Sequence, residues 1–175
     1  MYLKAISLSD SKSRIAIDFG CGAGTEAVDL FNRGFVVHAF DKELKAIELV
    51  KAKIGNNEGR LYTSVVSFEK IETLPKVDFF YSFHSLPFCG SAYFDQVVTK
   101  TIDSVSLGGL YVASFFGPED DWVVAGKTVG VTAQVIKSKL DRFEILHFEE
   151  TQKRGMTVMN GEKAWHTIEV IARRL

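Results

Sequence analysis

Three glycines at alternate positions, Gly20, Gly22 and Gly24, follow a short apolar run at 15–19 and precede a segment with helical spacing. A strand that turns at once into a helix needs backbone without Cβ atoms, and such backbone also offers its amides to a ligand lying against it. Asp18 interrupts the apolar run, and Asp41 follows a second run at 36–40. A carboxylate at the end of the second strand of such a unit stands where a ribose diol is held. The pattern predicts an α/β chain with a nucleoside-containing cofactor at the glycine turn.

The remaining sequence repeats the alternation. A first strand at 14–19 leads to a helix at 25–33 that stops at Gly34. A strand at 35–40 leads to a helix at 42–54, with Leu44, Ile47, Val50 and Ile54 on one stripe before Gly55. A third strand at 61–66, a helical turn reaching Leu74 and a fourth strand at 77–82 come next. The spacing of Phe94, Val97, Val98, Ile102 and Val105 predicts a helix over 92–106 that ends at Gly108-Gly109, before a fifth strand at 110–116. A helix at 132–140 and two strands at 143–149 and 165–172, joined by a polar connection over 155–161, make a closing antiparallel hairpin. Alternating strands and helices imply a mostly parallel sheet covered on both faces. Pro75, Pro87 and Pro118 all fall between these segments, so 1–175 is expected to be a single domain.

Composition narrows the partners. A net charge of −1 gives no long-range attraction to nucleic acid or to an anionic membrane. No window approaches the roughly 18 apolar residues of a spanning helix. Two cysteines, Cys21 and Cys89, lack the spacing of a disulfide framework or zinc site, which predicts reduced thiols in a cytoplasm.

Asp18-Phe19-Gly20-Cys21-Gly22-Ala23-Gly24-Thr25 resembles the first motif of class I S-adenosylmethionine-dependent methyltransferases: an acid, a spacer, then Gly-x-Gly-x-Gly. Thr25 stands where a dinucleotide fold places its third glycine, which disfavours pyrophosphate binding. Asp41 is similar to the acidic second motif, Ser67-Phe68-Glu69 to the third region and 78–83 to the fourth, while Gly108-Gly109-Leu110 resembles the glycine turn before strand five. Ser85-Leu86-Pro87-Phe88, the segment 116–122 and Lys163-Ala164-Trp165-His166 resemble the small-molecule branch related to tellurite-resistance methyltransferases. The resemblance implies a Rossmann-like seven-stranded sheet in the order 3-2-1-4-5-7-6, strand seven antiparallel, with helices on both faces. It also implies S-adenosylmethionine as cofactor, S-adenosylhomocysteine as product, and a small methyl acceptor such as a metalloid oxyanion or a metabolite.

The same resemblance assigns roles. Asp18 is expected to meet the methionine ammonium, helped by the Gly20 carbonyl, with Gly20, Cys21, Gly22 and Gly24 beneath the methionine and ribose. Asp41 is expected on the ribose hydroxyls and also suits a helix cap. Lys42 flanks the adenosine, and the adenine edge falls to the Phe68 N–H with Ser67 and Glu69 beside it; Ser67 replaces the acid usual in the family. Ser82 and Phe83 end strand four against the cofactor. His84 is a candidate proton acceptor, or a wall residue. Asp120, Asp121 and Trp122 suit either substrate binding or a helix cap, and Trp165 rather than His166 is expected to face the core. Cys21 reads as an apolar filler, and Glu149, Glu150, Lys153 and Arg154 as solvated hairpin charges. No metal is expected, because the four histidines have no ligand spacing. The 17 residues before Asp18 are few for a helical lid, which leaves an open acceptor pocket or one closed by a partner subunit in a homodimer. Two rival readings use the same scaffold: a cofactor-holding module without turnover, suggested by Ser67, and a nicotinamide oxidoreductase, against which Thr25 argues.

Overall fold

A computed structural model describes residues 1–10, 14–55, 59–157 and 161–175. Strands β1 (Ile15–Phe19), β2 (Val36–Asp41), β3 (Leu61–Val65), β4 (Val77–Ser82), β5 (Val105–Phe116), β6 (Phe143–Met156) and β7 (Glu162–Arg174) form one sheet. Their order is β3-β2-β1-β4-β5-β7-β6, with β7 antiparallel to both neighbours. Helices α1 (Tyr2–Leu8), α2 (Thr25–Asn32), α3 (Leu44–Ile54), α4 (Ser91–Ser104), α5 (Asp121–Val124) and α6 (Ala133–Lys139) connect them. This is the Rossmann-like topology implied by the sequence.

Side chains on a strand alternate between faces, so a sheet covered on both sides needs two apolar rows. In β1, Ala16 packs with Leu30 of α2 and Ile47 of α3, while Ile17 faces the opposite core with Val98 of α4 and Ile136 of α6. Strand order reverses between β1 and β4, which leaves a crevice at their carboxyl ends where ligands bind in open α/β sheets. Helix α2 stops as its sequence predicts: Gly34 at φ +89° closes it, with its N–H bonded to Phe31 O and the Phe35 N–H to Leu30 O.

Three features depart from the sequence expectation. Helix α1 carries only one buried residue, Ala5, and is held by long-range contacts: the Tyr2 hydroxyl donates to Asp29 at 2.7 Å and Arg173 to the Leu8 carbonyl at 2.8 Å. Helix α4 ends at Ser104, and Gly108-Gly109 lies inside β5, where the β4–β5 register shifts and Gly109 passes the backbone oxygens of Ser106 and Asp78. The glycines therefore serve a bulge and not a helix end. The closing hairpin is longer than its apolar pattern, because β6 and β7 stay paired through polar residues from Phe143↔Arg174 to Met156↔Glu162. Part of its expected 155–161 connection lies outside the described residues. Among the described residues, no helix is long and apolar enough to cross a membrane.

Candidate functional site

A cavity of about 520 Å³ opens at the carboxyl ends of β1, β2 and β4, a size within the range of small-molecule sites. Gly20, Asp41 and Lys42 line one side, Ser67, Phe68 and Glu69 a second, and His84, Ser85 and Phe88 a third. Seven of the residues singled out from sequence thus meet here, from four separate stretches of chain.

The glycine turn has all three glycines at positive φ, at +86°, +49° and +77°, a conformation costly for residues with a Cβ. Their surroundings differ. A Cβ on Gly20 would collide with Ser85, whose hydroxyl donates to the Gly20 carbonyl at 3.2 Å, and one on Gly24 would come within 2.6 Å of Val50. Only Gly22 faces open space among them. Asp41 ties the turn to the start of α3: Oδ2 accepts from the Gly22 N–H and Oδ1 from the Glu43 N–H, each at 2.9 Å. The helix-cap role expected of Asp41 is not met, since Glu43 holds the cap position of α3 without a side-chain bond; Asp41 braces the turn from the cavity wall instead.

Asp18 lies behind the turn, 2% exposed, with Oδ2 lacking a partner. Burial, reinforced by the charges of Glu26 and Asp41, pushes its carboxyl from 3.8 up to about 8, so it is largely protonated at neutral pH. An incoming cation would reverse that preference. Cys21 packs in the α1–α2–α3 core, with burial first among the causes that push its thiol up to about 12, as suits an apolar filler.

On the opposite wall Phe68 stacks on Phe19, ring centroids 4.1 Å apart. Glu69 accepts from the Gly90 N–H at 2.6 Å, which holds its carboxyl below the usual range and ties this wall to the loop before α4. Ser82 is fully buried and donates to the Phe19 carbonyl at 2.9 Å, bracing β1 against β4 without reaching the cavity. Phe83 faces away from this cavity and lines a second one.

His84 borders both cavities. It sits at φ +52°, the sole described non-glycine residue at positive φ, and its N–H donates to Ser114 Oγ at 2.7 Å. The ring stacks on Phe83 at 4.1 Å and on Trp165 at 5.5 Å. Burial, with Lys163 nearby, lowers its pKa from 6.5 to about 4, which keeps the imidazole neutral. Trp165 remains partly accessible while His166 is buried, the reverse of the sequence expectation. His166 wins the interior because Nδ1 accepts from the Glu119 N–H at 3.3 Å and Nε2 meets Glu150 at 2.8 Å.

Of the two roles the sequence left open for Asp120 the helix cap is the one observed, whereas its ion pair with Lys163 had no sequence signal. Asp120 caps α5 by accepting from the Trp122 N–H and also binds the Lys163 ammonium, which lies among the rings of Phe116, Trp122 and Trp165. Lys153 is exposed, as expected of a hairpin charge, and lines the second cavity. Strand register also brings ligand atoms of His147, Glu149 and Glu169 within 4.8 Å of one another, with the Lys4 ammonium 3.0 Å from His147 Nδ1. No spacing rule reveals a trio assembled from two strands.

Sheet order, glycine turn and crevice together define the class I S-adenosylmethionine-dependent methyltransferase fold. Known structures share it: TehB from Haemophilus influenzae superposes with a TM-score of 0.80 at 16% identity, over 100% of this chain and 63% of that one. The N-methyltransferase NodS from Bradyrhizobium japonicum, in complex with S-adenosylhomocysteine, gives 0.72 at 14% identity, over 99% and 85% of the two chains. Magnesium protoporphyrin IX methyltransferase from Synechocystis, with bound S-adenosylmethionine, gives 0.71 at 13%, over 99% and 76%. This chain thus spans less than two thirds of the Haemophilus protein. The sequence profile of a family described as tellurite resistance protein TehB matches residues 5–161, and the chain belongs to that family. No protein with a curated description matches the sequence significantly.

Proposed function

We propose that the chain transfers a methyl group from S-adenosylmethionine to a small acceptor. The observation that carries this reading is Asp18: a buried carboxyl with an unpartnered oxygen behind a glycine turn is stable only when protonated or when a cation reaches it. The methionine ammonium is such a cation. Asp41 on the cavity wall suits the ribose diol, and Phe68 with Ser67 forms a flat polar-edged wall suited to adenine. Bound there, the cofactor would supply an electrophilic methyl to the acceptor's lone pair, the electron pair of the carbon–sulfur bond being left on sulfur. His84 serves as a wall at the junction of the cavities, since an imidazole held near pKa 4 is a weak base at neutral pH. Structural neighbours solved with S-adenosylhomocysteine or S-adenosylmethionine bound support the same cofactor here. Buried, unpaired Cys21 and Cys89 suit a reducing cytoplasm.

Calorimetry with S-adenosylmethionine and S-adenosylhomocysteine tests the reading. Saturable binding weakened at least about tenfold in Asp41→Ala is expected, the loss of a charge-assisted pair of bonds. Folded protein that takes up neither compound at about millimolar concentration would overturn it.

A further inference from the structure

Three donor side chains meet on the face of the closing hairpin that Lys4 of α1 also reaches. Glu149 of β6 and Glu169 of β7 are directly opposite in the antiparallel pair, and His147 precedes Glu149 by two residues, which puts it on the same face. The register shift between Ile145 and His147 sets the imidazole beside the two carboxylates. Ligand atoms of the three lie within 4.8 Å of one another, and His147 Nε2 is 3.5 Å from Glu149 Oε2. Around a tetrahedral ion with bonds of about 2.0–2.2 Å, neighbouring donors stand roughly 3.3–3.6 Å apart. The remaining approach is within the rotation of a glutamate side chain.

Charge and proton positions favour a cation at this point. Like charges directly opposite across a sheet repel, and among the described residues no lysine or arginine pairs with Glu149 or Glu169. The Lys4 ammonium bonds His147 Nδ1 at 3.0 Å and neither carboxylate. Donation to Nδ1 requires the ring proton on Nε2, the nitrogen that faces Glu149. The trio thus draws one tethered cation to its edge, while its centre holds only a proton.

We propose that His147 Nε2, Glu149 and Glu169 bind a divalent cation of the zinc class, with water completing the coordination and Lys4 as a built-in competitor. Imidazole selects zinc over magnesium or calcium, and the two carboxylates balance the charge of the ion. Binding moves the ring proton from Nε2 to Nδ1 with no net release. Lys4 and Nδ1 are then both donors, so the ammonium withdraws. The ion cross-links β6 to β7 at the rim of the second cavity, which Glu169 lines. This site stands apart from the glycine-turn crevice, and the inference does not rest on the methyltransferase reading.

Zinc chloride titrated into the full chain tests it, followed by calorimetry and by the imidazole nitrogen resonances of His147, assigned with His147→Gln. Uptake of one ion per chain is expected, with Nε2 shifting as the metal-bound nitrogen and Nδ1 as the protonated one. His147→Gln and Glu169→Gln should each weaken zinc by at least about tenfold, the size that loss of even an outer partner of a metal ligand costs. Lys4→Met should tighten it about threefold or more, because a charge that repels the ion is gone. Magnesium is expected to bind at least about a hundredfold more weakly than zinc. Folded protein that takes up no zinc at roughly 0.1 mM overturns the proposal. So does uptake that both glutamine variants leave unchanged, which puts the ion elsewhere, or magnesium binding as tight as zinc. Zinc affinity unmoved or lowered in Lys4→Met overturns the competition assigned to Lys4.

Discussion

Lys163 and Asp120 form an ion pair closed off from water, with side chains 4% and 0% exposed. Asp120 also accepts from the Trp122 N–H at 3.0 Å and the His166 N–H at 3.1 Å, while the ammonium lies 3.9 Å from the Trp122 ring centroid and 4.0 Å from that of Trp165. The pair fastens the turn after β5 to β7 and so presents Trp165 to His84. Lys163→Met leaves a buried carboxylate without its cation and is expected to cost about 3–5 kcal/mol. The double change Lys163→Met with Asp120→Asn removes both charges and should recover part of that. Urea unfolding at one pH compares the three proteins; a Lys163→Met midpoint equal to wild type would refute the role given to the pair.

Asp18 predicts a pH dependence of the free protein. Its folded-state pKa is raised, so its contribution to stability is fully present below 3.8 and is lost as pH rises toward and through about 8. Asp18→Asn is expected to flatten that decline, by at most about 1.4 kcal/mol per pH unit. Calorimetry in buffers of different ionisation heat should record proton release near pH 7 when S-adenosylmethionine binds, and none in Asp18→Asn. Equal urea midpoints at every pH for the two proteins would contradict a buried neutral acid.

His84 acts with the opposite sign. Its pKa is depressed, so its contribution is present above 6.5 and is lost as pH falls through about 4. Because Asp18 and His84 oppose each other in that window, each must be read as a difference from its own variant. His84→Phe keeps a ring between Phe83 and Trp165 and should leave cofactor affinity within about threefold, a change of under roughly 0.7 kcal/mol. The pH–rate profile of wild type should show no limb near 6.5. A limb there that vanishes in His84→Phe would instead make His84 the proton acceptor.

The three glycines of the turn should respond unequally. Gly22→Ala meets no neighbour and is expected to cost about 1–2 kcal/mol from the left-handed backbone alone. Gly20→Ala and Gly24→Ala add collisions with Ser85 and Val50 and should cost more, Gly20→Ala being partly rescued by Ser85→Gly. Thermal melts rank the variants, and an equal loss at all three positions would show that backbone strain is the whole effect.

Much of this was legible in the chain because it depends on local spacing. The period of Leu44, Ile47 and Val50, the glycines closing α2 and α3, and the apolar runs of β1, β2 and β4 all fix elements through neighbours a few residues away. Helix α1 was not legible, since its seven residues are stabilised by Asp29 and Arg173 far along the chain. Gly108-Gly109 was misplaced for a related reason: a bulge inside β5 and a helix end call for the same residue.

By itself, the sequence determined the succession of the seven strands and of helices α2, α3, α4 and α6, the glycine turn, and the two carboxylates Asp18 and Asp41 that flank it, because backbone freedom and apolar periodicity are properties of adjacent residues. Only the tertiary structure decided that Asp18 is a buried neutral acid, that Lys163 is sealed onto Asp120, and that Lys153 and Glu169 face one cavity across His84. Those outcomes depend on which distant strands lie in register and on how much water each charge retains, and neither quantity is written in local spacing.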